Sequence, residues 1–175
     1  MSVLGTLAAV PVGERPELLA EPVAKAVAGL PGILVAEIDP ELADTAAFCE
    51  AYASPPEFSA NCVVVSGKRE GQVRFAACLV LATTRADVNG VVKRRLDVRK
   101  ASFAPMDLAV ELTGMEYGGI TPLGLPADWP LLVAPEVAAA EAVVIGSGIR
   151  GSKLAVPGAL LAGLPGAEVV ENLAR

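Results

Sequence analysis

Two glycine-rich segments are the parts of this sequence best suited to bind a polar or negatively charged group. They are Gly118–Gly124 (GGITPLG) and Gly146–Gly151 (GSGIRG). Glycine-rich turns expose backbone N–H groups, which can hold an anion or the oxyanion of a reaction intermediate. A rigid structural loop and a tight turn between two strands explain the same residues equally well, so both interpretations stay open at this point.

The segment Gly146–Gly151 also fits the pattern GxGxxG of dinucleotide-binding proteins. That site needs a helix directly after the glycines, because the helix N-terminus faces the pyrophosphate. The next residues, 152–157, read as a strand, and no βαβ unit surrounds them. A phosphate-binding P-loop is excluded too, because Ser152 and Lys153 reverse the required Lys-Ser order.

The sequence contains no histidine, which excludes Ser-His-Asp and Cys-His catalysis and histidine-bound zinc. The three cysteines, Cys49, Cys62 and Cys78, are widely spaced and form no CxxC pair. They indicate neither a zinc site nor a disulfide framework, and we expect buried thiols in a reducing compartment. Any chemistry must therefore use carboxylates, lysine, hydroxyls, thiols, backbone amides or the substrate itself.

The composition is that of a globular protein, with 53% hydrophobic and 19% charged residues and a net charge of −6. The negative charge argues against broad, charge-driven binding of nucleic acid. A basic stretch at 85–100 could still contact phosphates, although a solvated helix face is the simpler interpretation. The apolar runs are shorter than the roughly 20 residues that span a bilayer. With no signal peptide recognisable, we expect a cytoplasmic protein without a membrane partner.

The hydrophobic pattern predicts short strands interleaved with helices. Helices are predicted at 16–30, 40–52, 88–96, 105–113 and 157–164. Strands are predicted at 33–38, 62–66, 73–83, 100–103, 131–133, 142–145, 152–156 and 169–170. The polar stretch 67–71 predicts a hairpin turn. Without internal repeats or a linker, we expect one α/β domain with a mixed sheet or partial barrel and helices packed outside.

The order of motifs along the chain resembles the YbaK/ProX family, which includes the insertion domain of prolyl-tRNA synthetase. Thr113-Gly114, Gly118–Gly124 and 148–151, in this order and spacing, carry the resemblance. It covers residues 33–175, whereas the N-terminal segment 1–32 matches only in being helical. The expected organisation is thus a helical segment, 1–32, packed on an editing domain, 33–175.

The resemblance implies a mixed, barrel-like sheet ringed by helices and a free-standing trans-editing deacylase. Such an enzyme hydrolyses the ester between a small mischarged amino acid, such as alanine, cysteine or serine, and the 3′-terminal adenosine of tRNA. It implies no metal and no cofactor, and the ribose hydroxyl of the substrate is thought to assist the attacking water. The expected partner is the acceptor end of aminoacyl-tRNA, with an aminoacyl-tRNA synthetase as a further candidate.

By the same resemblance, three residues are candidates for the catalytic step: Asn61, Gly118 and Gly148. The candidate substrate-binding residues are Gly119, Thr121, Pro122, Gly124, Gly146, Ser147 and Arg150. The candidate contacts to tRNA phosphates are Arg94, Arg95, Arg99 and Lys100.

The sequence departs from the family pattern at three positions. The characteristic lysine at the start of the strand before the hairpin is Asn61 here, which brings hydrogen-bonding groups but no charge. A family aspartate is replaced by Ala134, and a serine that some members carry aligns with Gly146. Two alternatives therefore remain: a binding module that has lost the chemistry, and an enzyme acting on another small ester or amide.

Overall fold

The alternating apolar and polar runs of the chain form strands in two sheets, with helices around them, in a computed structural model that describes residues 2–175. The mixed α/β architecture predicted from the sequence is confirmed. The strands are β1 (Val10–Pro11), β2 (Leu34–Glu37), β3 (Ala60–Arg69), β4 (Gln72–Leu81), β5 (Ala101–Phe103), β6 (Leu131–Val133), β7 (Val143–Gly146), β8 (Ser152–Val156) and β9 (Ala167–Val169).

Short helices connect most of these strands. The α-helices are α1 (Glu21–Val27), α2 (Thr45–Tyr52), α3 (Lys93–Leu96), α4 (Met106–Thr113), α5 (Pro135–Ala139) and α6 (Gly158–Ala162). Short 3₁₀ turns lie at Val12–Glu14, Pro16–Leu18, Pro40–Leu42 and Pro56–Phe58, and a π-helical turn at Val88–Val92 leads into α3.

The two sheets meet at the start of β3. The first sheet is antiparallel, in the order β1-β2-β8-β7. The second has the order β5-β3-β4-β6-β9, in which β6 runs parallel to both β4 and β9. A bridge between Ser59 and Val144 connects the sheets. The candidate site lies at this junction.

The hairpin of β3 and β4 is longer than predicted, because the stretch 67–71 is not all turn. The ladder continues to the pair Arg69 and Gln72, and only Glu70 and Gly71 form the loop. Both have positive φ, 51° and 79°, as the two-residue loop of a type I′ turn requires. Polar residues such as Lys68 continue the strand beyond the core, where they are exposed to solvent.

Prolines divide two helices that were predicted as continuous. Proline fits only the first turn of a helix, so Pro22 makes α1 begin at Glu21 rather than at residue 16. In the second case Pro40 starts a separate 3₁₀ turn, capped by the Asp39 carboxylate at 3.0 Å from the Glu41 nitrogen, and α2 begins at Thr45. Helix α5, which no prediction included, also starts on a proline, Pro135.

One large core joins the strands of both sheets. It contains Val35, Val65, Leu79 and Leu154, which are almost fully buried, and it also includes Val23 of α1. The segment before residue 33 therefore shares the core of the strands on which it packs. Among residues 2–175, no helix combines the length and apolar character needed to cross a membrane.

Candidate functional site

A cavity of about 380 Å³ opens at the junction of the two sheets. Its walls come from the start of α2, the start of β3, the loop after α4, and the paired strands β7 and β8. The lining side chains and glycines that could contact a ligand are Asp44, Thr45, Phe48, Asn61, Cys62, Tyr117, Gly118, Ile120, Gly146 and Lys153.

The two glycine-rich turns contact each other beside this cavity. The Gly148 N–H donates to the Gly119 carbonyl at 2.7 Å, and the Glu116 N–H donates to the Gly148 carbonyl at 2.8 Å. A Cβ atom on Gly146 would lie 2.6 Å from the Gly119 oxygen, and one on Gly119 would lie 2.8 Å from the Ile149 backbone. Glycine is required at both positions because the two backbones approach too closely for any side chain.

Only part of each turn faces the cavity. Gly118 and Gly146 line it. The Gly148 N–H, expected as an oxyanion donor, is already bonded to Gly119 and is not offered to a ligand. A Cβ on Gly148 would instead meet Ala20 and Val23, so this glycine lets the turn pack against the start of α1.

The rest of the loop Gly118–Gly124 supports the site from behind. Thr121 and Pro122 are buried, and the Thr121 hydroxyl has no hydrogen-bond partner within residues 2–175. A Cβ on Gly124 would lie 2.5 Å from the Pro22 oxygen. Gly124 therefore packs the loop against the N-terminal segment. Within the described part of the chain, Thr121, Pro122 and Gly124 do not line the cavity.

Ser147 and Arg150 brace the second turn. The buried Ser147 hydroxyl lies 2.7 Å from the Ser152 hydroxyl. The Arg150 guanidinium donates to the carbonyls of Pro40 at 3.2 Å and Tyr117 at 3.4 Å. It also lies 3.6 Å from Asp44. Arg150 thus holds together two loops that form the rim of the cavity.

Asn61 enters the cavity from the start of β3. Its carboxamide oxygen accepts a hydrogen bond from the Thr45 hydroxyl at 3.1 Å. Because the oxygen is held by α2, the NH₂ group is left as the donor towards the cavity. The side chain is thereby oriented for donating to a carbonyl or another acceptor on a ligand.

Lys153, which the sequence-based reasoning did not select, is the cation of the cavity. It lies on β8 and is only 9% exposed. Its Nζ donates to the Ala43 carbonyl at 2.8 Å and lies 5.4 Å from the centre of the Phe48 ring. Burial lowers the pKa of this ammonium, and the nearby Arg150 charge lowers it further. The signal in the sequence was a single charge inside a five-residue strand whose other members are all apolar or small.

The cavity cysteine is not poised for nucleophilic chemistry. Burial raises the pKa of the Cys62 thiol far above its ordinary value, and it raises that of the neighbouring Cys78 to about 12. Because the pKa of each thiol is raised, both stay neutral near pH 7. A neutral thiol is a poor nucleophile, since the thiolate is the reactive form. Cys78 is buried as expected, whereas Cys49 and Cys62 are partly accessible.

The candidate phosphate contacts lie away from the cavity. Arg95 pairs with Glu168 of β9, and Arg94 is exposed. Arg99 and Lys100 are exposed just before β5, which pairs with the hairpin end of β3. From Asn61 to Gly67 is six residues, or roughly 20 Å at ~3.3 Å per residue. The structure therefore does not bring these cations together with Asn61.

Comparison with known families identifies the class of domain built around this cavity. A model of the aminoacyl-tRNA editing domain matches residues 39–164, which include all the cavity residues named above. The match spans more than half of the chain, and the protein belongs to the aminoacyl-tRNA editing domain family. The expected relationship to YbaK-like editing domains is confirmed, and with it tRNA as the kind of partner on which the family acts. A search of curated proteins found no match.

Solved structures show the same fold. The hypothetical protein APE2540 superposes with a TM-score of 0.76 at 20% identity, covering 89% of this chain and 100% of the other. A "putative trans-editing enzyme for prolyl tRNA synthetase" superposes with a TM-score of 0.72 at 21% identity, covering 87% of this chain and 94% of the other. At these identities the likeness establishes the fold alone.

Proposed function

We propose that this protein is a free-standing, cytoplasmic trans-editing deacylase. It hydrolyses the ester between a small mischarged amino acid, of the alanine, cysteine or serine type, and the 3′-terminal adenosine of tRNA. The observation that carries the proposal is the cavity at the sheet junction, where the Asn61 amide and the backbone at Gly118 and Gly146 converge. Membership of the editing family supports the same conclusion.

The size and walls of the cavity favour a small aminoacyl group. Small-molecule sites span about 300–1,000 Å³, so a volume of about 380 Å³ lies at the low end. Phe48, Ile120 and Ile145 supply apolar walls that a methyl, thiol or hydroxymethyl side chain can contact.

The reaction needs few groups from the protein. Water adds to the ester carbonyl carbon, the carbonyl oxygen becomes an oxyanion, and the carbon–oxygen bond to the ribose breaks. The departing ribose oxygen takes the proton that the water loses, and the neighbouring ribose hydroxyl assists that transfer. The Asn61 NH₂ group is the donor we assign to the carbonyl oxygen, because donors aimed at the developing charge lower the barrier most.

A deacylation assay tests this function. We expect purified protein, in excess over substrate, to release alanine, serine or cysteine from mischarged tRNA, including mischarged proline tRNA. Phenylalanine on its own tRNA is the matched control and should remain attached. If every ester in the panel decays at its uncatalysed rate, the protein is not a deacylase of this type.

The second candidate is a binding module that has kept the cavity without the chemistry. Asn61 in place of the family lysine favours it, whereas Ala134 is uninformative because it lies in the core at the start of α5. This candidate predicts tight binding of an amide-linked aminoacyl-adenosine and no turnover of the ester. Hydrolysis that appears only in Asn61→Lys would support it.

A further inference from the structure

Lys153 is a buried cation that is only partly compensated: the Asp44 charge favours its ammonium, whereas burial and the Arg150 charge oppose it. Within residues 2–175, no carboxylate oxygen lies within 4.0 Å of its Nζ, and its hydrogen bond goes to the neutral carbonyl of Ala43. Lysine is almost never buried unless it is paired, because removing an ammonium from water is costly. The cation–π contact with the Phe48 ring offsets only a small part of that cost. Stability alone therefore gives no reason for a lysine at this position.

The strand register directs this cation to the cavity. Lys153 pairs with Gly146 on β7 and with Ala36 on β2. Gly146 and Lys153 both line the cavity, on neighbouring strands of the same wall. An ammonium has three N–H donors, of which the Ala43 carbonyl takes one. The other two are left for a ligand that enters next to Asn61.

We propose that Lys153 is a catalytic residue that holds the ester carbonyl oxygen as it becomes negatively charged. The inference rests on the proposed deacylase function. The resemblance drawn from the sequence implies a lysine on the strand of Asn61, whereas here the positive charge reaches the cavity from β8. Lys153 keeps its proton throughout: the carbonyl electron pair moves to oxygen when water adds, and returns when the bond to the ribose oxygen breaks.

Single-turnover deacylation of Lys153→Met measures this contribution. Removing one oxyanion donor typically lowers the catalytic rate about 10²–10³-fold, and we expect a loss of at least about 100-fold at unchanged affinity for tRNA. The matched control is Lys25→Met, at an exposed lysine on α1 that pairs with Glu21. If Lys153→Met keeps its rate within about twofold while the wild type is active, Lys153 has no catalytic role and the deacylase stands.

Two aminoacyl-adenosine analogues separate charge binding from a purely structural role. One carries a phosphonate in place of the ester, which imitates the tetrahedral oxyanion, and the other carries a neutral amide. We expect Lys153→Met to weaken phosphonate binding about 100-fold and amide binding less than threefold. Equal loss of both would mean that the Lys153–Ala43 bond merely shapes the cavity, and it would overturn the proposal.

The analogues also distinguish failure of this inference from failure of the proposed function. If the wild type hydrolyses no ester and yet binds the phosphonate through Lys153, the cation site is supported and the deacylase function is wrong. A wild type that neither hydrolyses the esters nor prefers the phosphonate overturns both. Lys153→Gln, which keeps a donor without the charge, carries the same tests if the Met variant does not fold, and we expect the same loss of phosphonate binding.

Discussion

The two ends of β3 carry polar groups in opposite physical settings. At its start, Asn61 lines an open cavity whose opposite wall includes the almost fully buried Lys153. At its hairpin end, Arg69 shares the exposed Asp97 carboxylate with Arg74 of β4, at 3.5 Å each. Water and salt screen charges at the second end, whereas a charge at the first acts through a medium of low polarity.

The comparison teaches that the number of charges is a poor guide to where chemistry occurs. The basic stretch 85–100 is the most obvious charged feature of the sequence, yet it is exposed and partly paired. One lysine in an apolar strand faces the cavity instead. Exposed ion pairs contribute about 0–1 kcal/mol each, so the hairpin end can lose charges with little consequence for the fold.

The largest contrast should come from two glycines: Gly146 of β7, which lines the cavity, and Gly71 in the hairpin loop. In Gly146→Ala the new methyl group would lie 2.6 Å from the Gly119 oxygen, and we expect a loss of about 2 kcal/mol in unfolding free energy together with most of the activity. In Gly71→Ala nothing lies within 4 Å, so only the positive φ is penalised, by about 1 kcal/mol, with activity retained. Urea denaturation and deacylation of both variants measure the difference, and equal destabilisation would contradict it.

Asn61 should contribute to the deacylation rate, whereas Ser66, further along β3, should not. Asn61→Ala removes one neutral donor, worth about 1.4 kcal/mol, and we expect deacylation to slow about tenfold. Ser66→Ala, further along β3, serves as the control and should keep the wild-type rate. An Asn61→Ala variant with full activity would remove the amide from the mechanism.

The exposed cations at the hairpin end should affect tRNA binding and leave the chemical step unchanged. Neutralising Lys68, Arg99 and Lys100 together should reduce the salt dependence of tRNA affinity, by about one unit of slope for each phosphate that the variant no longer binds. At saturating protein the single-turnover rate should equal that of the wild type. A slower rate at saturation would show that this surface acts on the cavity, contrary to the comparison.

The buried charge of Lys153 should make the free energy of unfolding depend on pH. The folded-state pKa of Lys153 is lowered from its ordinary 10.5, so the unfolded chain binds more protons between the two values, and stability rises with pH in that window. We expect the unfolding free energy of Lys153→Met to exceed that of the wild type most below this pH window and least near pH 10.5. Denaturation curves from pH 7 to 10.5 test this, with Lys25→Met as a control that should show no such trend. The neighbouring charges of Arg150 and Asp44 are common to all three proteins.

Local pattern was sufficient for much of the fold. The boundaries of β6 and β8 were predicted to the residue, because proline or glycine lies close to both ends of each short run. Helix α4 ends at Thr113 because Gly114 follows it with a φ of 69°. Errors arose where a proline permits either one helix or two short turns, as at Pro22 and Pro40, a choice that the surrounding packing makes.

Some features of the candidate site could likewise be predicted from the sequence, and others depended on the tertiary structure. The sequence alone determined that the chain has two glycine-rich segments, no histidine and an asparagine at position 61, since these depend only on residue type and order. Tertiary structure decided which glycines face the cavity and which are consumed by packing. It also decided that Lys153 lies beside a carbonyl 110 positions earlier in the chain. Strand register and the packing of α2 and the loop before it against β8 set such long-range proximity, and no local pattern of residues encodes it.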